Sequence, residues 1–145
     1  MKDFCHNFVN IIYGSLMDST HNLNFTTEYF ENSNTHKFDI NYYIYRSDGR
    51  YIAFCPALDI TSSGSDFNEA ITQFYECFQL YMETCLEMGT LIEDLKKHNW
   101  HSEGGRLKQP SFELLLTNED FRDLMESTVE YDRLKARVKF NLMVQ

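Results

Sequence analysis

Few side chains in this sequence have the types and spacing that chemistry or recognition requires. Glu69, Glu76 and Glu83 recur every seven residues and Glu87 follows four further on, so on a helix they share one face. Such an acidic stripe would steer a basic protein partner; the plainer reading is a solvated helix face, and Glu69 also has a capping duty. Arg133, Lys135, Arg137 and Lys139 alternate with apolar residues, so on a strand they line one face. That face could hold the phosphates of DNA or of an RNA substrate. Against it, cations also guard exposed edge strands, and these could pair with the chain's own acids; the structural reading carries more weight. His98 and His101 are three apart but have no third ligand nearby, so neither a metal nor a cofactor is expected. Cys55, beside Pro56 and without a flanking His, reads as a buried thiol. Asp39, Asp48, Asp59 and Asp66 lack the spacing of a two-carboxylate or two-metal centre. No catalytic set emerges, and the expectation is a protein that binds rather than one that catalyses.

The elements that position these residues can be read from periodicity. Phe38, Ile40, Tyr42 and Ile44 alternate with less apolar neighbours, the pattern of a half-buried strand. Ser47-Asp48-Gly49-Arg50 supplies a tight hairpin turn, and Tyr51–Cys55 returns as a second strand stopped by Pro56. A short third strand covers Ile60–Ser63 and ends at Gly64. Tyr42, Tyr43, Tyr45 and Tyr51 crowd this hairpin, either as an interface or packed against the N-terminal segment. A long helix follows, with Asp66 as N-cap and Glu69 as the other half of a capping box. Its apolar stripe runs through Phe67, Ala70, Ile71, Phe74, Phe78, Tyr81, Met82 and Cys85, and Gly89 ends it. A shorter helix spans about Thr90–His98, with Trp100 packing its end. A loop then runs to Pro110, followed by an apolar run at Phe112–Leu116 and a helix with Phe121, Leu124 and Met125 facing inward. The chain closes with a strand whose apolar face is Leu134, Ala136, Val138, Phe140, Leu142 and Val144.

Asp48-Gly49-Arg50-Tyr51-Ile52-Ala53-Phe54-Cys55-Pro56-Ala57-Leu58, followed by Gly64-Ser65-Asp66-Phe67-Asn68-Glu69-Ala70, resembles the HicB-like antitoxin family over about Lys37 to Glu87. The motif residues are Asp48, Gly49, Tyr51, Pro56, Gly64, Asp66, Glu69 and Ala70. The resemblance implies an α+β fold, a partial RNase H-like sheet of three antiparallel strands with a long helix across one face. Here the C-terminal strand would join that sheet. It further implies neutralisation of a small basic toxin ribonuclease, HicA; the acidic stripe read above from its spacing, Glu76, Glu83 and Glu87, would then be the partner-binding set. Assembly into dimers or larger homo-oligomers is implied as well. Many family members also bind DNA and repress their own operon; residues 89–145 carry no helix-turn-helix pattern, and any such role would fall to the basic final strand.

Charge and composition bound these readings. Thirteen Lys and Arg against 22 Asp and Glu give a net charge of -9, the wrong sign for a protein that wraps nucleic acid with its whole surface. Residues 1–100 carry 6 basic and 14 acidic side chains, and residues 101–145 carry 7 and 8, so an anion site belongs in the C-terminal third. The aromatic fraction of 15% with only 6 Gly and 2 Pro excludes disorder and low complexity. No apolar run is long enough for a membrane span. Cys5, Cys55, Cys77 and Cys85 have neither zinc nor disulfide spacing, which points to the cytoplasm. The organisation expected is an N-terminal extension at 1–36, an αβ core at 37–100 and a C-terminal helix and strand at 101–145. The polar run Asn32–His36 would be the loop between the first two.

Overall fold

Alternating apolar residues at 38–44 and 134–142 call for two strands that share a buried face, and the structure, a computed structural model, pairs them directly. It describes residues 20–25 and 33–143; the expectations for Phe4–Tyr13, Cys5 and Val144 lie outside them. Seven strands are present among the described residues: β1 (Thr20–Phe25), β2 (Ser33–Ser47), β3 (Arg50–Cys55), β4 (Ile60–Gly64), β5 (His101–Glu103), β6 (Arg106–Lys108) and β7 (Tyr131–Met143). The helices are α1 (Phe67–Met88), α2 (Leu91–Lys97), α3 (Phe112–Leu115) and α4 (Glu119–Glu126).

The α+β class stands, but the sheet is larger and less regular than expected. Its order is β1-β7-β2-β3-β4, with β1 parallel to β7 and the other neighbours antiparallel. A wholly antiparallel sheet of three strands plus one is therefore corrected to a mixed sheet of five. The fifth strand comes from the stretch assigned to the N-terminal extension. Its His21 and Leu23 are buried while Asn22 and Asn24 are exposed, the alternation of a strand packed on one side. Residues 33–36, expected as loop, are also strand. They pair with 140–143 of β7, the Thr35 hydroxyl donates to Asn141 Oδ1 at 3.1 Å, and His36 stacks on Phe140. Local polarity suggested a loop there, and a long-range partner overrides it.

The hairpin and helix entry form as their residues require. Asp48 and Gly49 have φ of 51° and 78°, the left-handed pair of a two-residue turn. Asp66 Oδ1 accepts from Glu69 N–H at 2.7 Å, but the reciprocal half closes on Ser65, whose N–H donates to Glu69 Oε2 at 3.2 Å. The capping box is thus displaced by one residue. Gly64 is set by close approach: a Cβ there would lie 2.5 Å from the Ala70 nitrogen and 2.7 Å from the Glu69 carbonyl carbon.

Both faces of the sheet are covered, each over a different part. The helix α1 lies on the face of Ile40, Tyr42, Ala136, Val138 and Phe140, with Tyr42 stacked on Phe74 at 4.4 Å between ring centroids. Trp100 closes one end, its indole N–H donating to Ala57 O at 2.8 Å and its ring 4.9 Å from Phe38. On the opposite face α4 covers only the β2–β3 end, where Phe121 meets Tyr43 at 5.0 Å and Phe54 at 6.4 Å. Tyr42 and Tyr43 are thus both core residues, on opposite sides of one strand. The expected loop to Pro110 contains the β5–β6 hairpin, which stands beside β2; the Asn41 N–H donates to Gln109 Oε1 at 3.3 Å.

Replacing Gly64 with Ala is expected to cost about 1–3 kcal/mol, because the obstructing atoms are backbone and cannot rotate away. Gly49→Ala, which meets open space and only an unfavourable φ, is expected to cost about 1–2 kcal/mol. Urea unfolding midpoints of the two variants test the pair.

Candidate functional site

Two oppositely charged surfaces and one buried polar cluster arise from this fold. The outer face of α1 carries Glu83 and Glu87 exposed and Glu76 half-buried. Gln79, one turn before Glu83, donates from Nε2 to Glu83 Oε1 at 2.8 Å and orients that carboxylate. Glu69 is exposed but held by Ser65, which confirms its capping duty and separates it from the other three. Among these acids lies Leu80, 55% exposed, and Met88, 69% exposed, follows Glu87 as the last residue of the helix; a purely solvated face would not require them. No Lys or Arg occurs between Asp66 and Asp94.

The second surface is the open part of the other sheet face. β7 is an interior strand, between β1 and β2, so guarding an edge does not explain its cations. Register places Lys139 opposite Lys37, Arg137 opposite Asp39, Lys135 opposite Asn41 and Arg133 opposite Tyr43. Only Arg137 has a cross-strand acid, with its Nε 3.1 Å from Asp39 Oδ1. On the other side β1 supplies Asn22 beside Arg137 and Asn24 beside Lys139. The β5–β6 hairpin raises a wall along this floor, and together they enclose a groove of about 460 Å³. Lys37, Arg106, Lys108, Lys135 and Arg137 line it, with Asp39 as its one carboxylate. Lys139 continues the same face beyond it, whereas Arg133 lies toward the end covered by α4. Sequence reasoning found the β7 cations but missed Lys37, Arg106 and Lys108. Gly104-Gly105 between two short segments was the available hairpin signal.

The buried cluster joins β1, β2 and α1. His21, 2% exposed, has Nδ1 2.9 Å from the Tyr42 hydroxyl and 2.5 Å from that of Tyr75, and the two hydroxyls are 3.1 Å apart. Its Nε2 is buried with no hydrogen-bond partner among the described residues. Burial lowers the His21 pKa, and burial first, then the neighbouring tyrosine, pushes Tyr42 well up. Tyr75 is raised, chiefly by burial. All three are therefore neutral near pH 7, and their hydrogen bonds tie β1 to β2 and α1.

The remaining candidates separate. Burial pushes the Cys55 thiol up to about 12, which leaves it protonated and inert. His98, the C-cap of α2, contacts Asp94 one turn back, while His101 faces Glu103 two residues along the same strand, β5. Among the described residues no group of three His, Cys, Asp or Glu could hold a metal, and no helix is long and apolar enough to cross a membrane.

The lowered His21 pKa fixes the sign of one pH effect. The unfolded chain protonates this histidine near pH 6.5 and the folded chain only below that. Its contribution is thus fully present above the unfolded pKa and is lost as pH falls from there through the lower folded pKa. Urea midpoints from pH 7.5 to 5 are expected to fall more steeply for the wild-type chain than for His21→Gln. Equal slopes would show that His21 is not held neutral. No family model, curated protein or solved structure matches this chain.

Proposed function

We propose that the chain is an antitoxin-like binding protein that neutralises a small basic ribonuclease, a HicA-like toxin, by occluding it. The observation that carries the reading is the outer face of α1, where Leu80 stands exposed among Glu76, Glu83 and Glu87, with Met88 exposed beside them at the last residue of the helix. A stable interface buries apolar side chains at its centre inside a polar rim. The acids add long-range attraction to a cationic partner, which raises the association rate more than the final affinity. Supporting the HicB-like part of the reading are the β2–β3–β4–α1 order and the roles of its motif residues. Gly49 turns the hairpin, Pro56 follows the end of β3, Tyr51 meets Phe67, Gly64 admits the helix start, and Ala70 is fully buried beneath it. The protein would act in the cytoplasm, as a dimer or larger homo-oligomer, without cofactor or catalysis.

The test joins capture to function. The tagged chain is expected to retain a small basic protein from its native lysate at low salt and, once both are purified, to suppress that protein's RNA cleavage stoichiometrically. Glu76→Gln with Glu83→Gln and Glu87→Gln is expected to slow association about tenfold at low salt and little at high salt. Leu80→Asp with Met88→Asp, both at exposed positions, is expected to weaken inhibition more than tenfold without unfolding the chain. A captured protein whose cleavage continues, or surface variants that inhibit like the parent, would overturn the proposal.

A further inference from the structure

The sheet face opposite α1 carries an arrangement that folding alone does not call for. An excess of 22 acids over 13 bases would ordinarily surround each cation with carboxylates. Here Lys37, Arg106, Lys108, Lys135 and Arg137 converge on one groove whose lining holds a single acid, Asp39; Glu103, opposite Arg106 on the hairpin, contacts His101 instead, and Lys139 extends the row. Lys37 and Lys139 sit directly opposite each other, a like-charge pair that destabilises a sheet. The flanking strand contributes asparagines to this face rather than acids. Such a departure from local electrostatic preference marks a surface shaped by a ligand.

We infer that this groove binds the sugar–phosphate backbone of single-stranded nucleic acid. Alternate residues on β7 lie about 6.8 Å apart, a spacing comparable with successive phosphates on an extended strand. The β5–β6 hairpin supplies Arg106 and Lys108 from the side, so the cations surround a concave channel rather than forming a flat patch. A concavity of about 460 Å³ accepts one sugar–phosphate strand, whereas a duplex presents a convex cylinder that meets only the rim. No exposed aromatic ring lines the groove among the described residues, so phosphate contacts rather than base stacking dominate and sequence preference is weak. The groove and the acidic face of α1 lie on opposite sides of the sheet, so the inference stands apart from the antitoxin reading.

Fluorescence anisotropy with labelled 12-nucleotide oligo(U), oligo(dT) and a 12-base-pair DNA duplex tests it. With Arg137 paired to Asp39, four groove cations remain for phosphates. Single-strand affinity is then expected to fall roughly 600-fold per tenfold rise in salt. Lys135→Gln, Arg106→Gln and Lys108→Gln are each expected to weaken binding several-fold and flatten the salt slope by about 0.7. Lys96→Gln with Lys97→Gln, on α2, should change neither quantity. Comparable binding of oligo(U) and oligo(dT) assigns recognition to the shared phosphates; binding of one alone adds a role for the sugar or base while keeping the groove. Absence of binding at 20 mM salt, tighter binding of the duplex, or undiminished binding by the triple groove variant would overturn the inference.

Discussion

The ladder between β2 and β7 is the interaction on which the rest of this structure depends. It runs from Ser33–Met143 to Tyr45–Tyr131 and joins residues about a hundred positions apart. A strand shifted by one residue would exchange its two faces. The register that buries Ala136, Val138 and Phe140 under α1 also turns Lys135, Arg137 and Lys139 to the open side. Packing and the basic surface are therefore consequences of one pairing, and neither can move without the other.

The same ladder recruits its neighbours. β1 adds in parallel to the far side of β7 and brings His21 and Leu23 over the helix, where His21 meets Tyr42 and Tyr75. On the near side the hairpin partner β3 pairs only with the last part of β2, from Tyr43 to Ser47. That leaves the earlier part of β2 without β3, and the β5–β6 hairpin stands beside it, held in part through Asn41 and Gln109. The wall of the groove thus exists because two strands of unequal length are paired at one end.

Charge is divided by this architecture rather than averaged over it. The helix α1 shows acids and two exposed apolar side chains on one side of the molecule, while the sheet shows cations on the other. A partner with a basic surface and a phosphate-bearing strand are complementary to different faces. The net charge of -9 describes neither face.

Much of the local structure was legible in the sequence. Alternation marked β2 and β7, Asp48-Gly49 marked the hairpin, and the spacing from Phe67 to Met82 marked α1 and its buried side, because these patterns depend on neighbours within a few positions. Short polar segments were not legible: Thr20–Phe25, Ser33–His36, His101–Glu103 and Arg106–Lys108 have little strand character of their own and form by pairing. The sequence by itself determined which faces are apolar, acidic or basic, since side-chain order along a helix or strand is set by its period. Only the tertiary structure decided that β7 is interior rather than an edge, and that Lys37, Arg106 and Lys108 join its cations. Those outcomes rest on contacts between residues tens of positions apart, which no local period encodes.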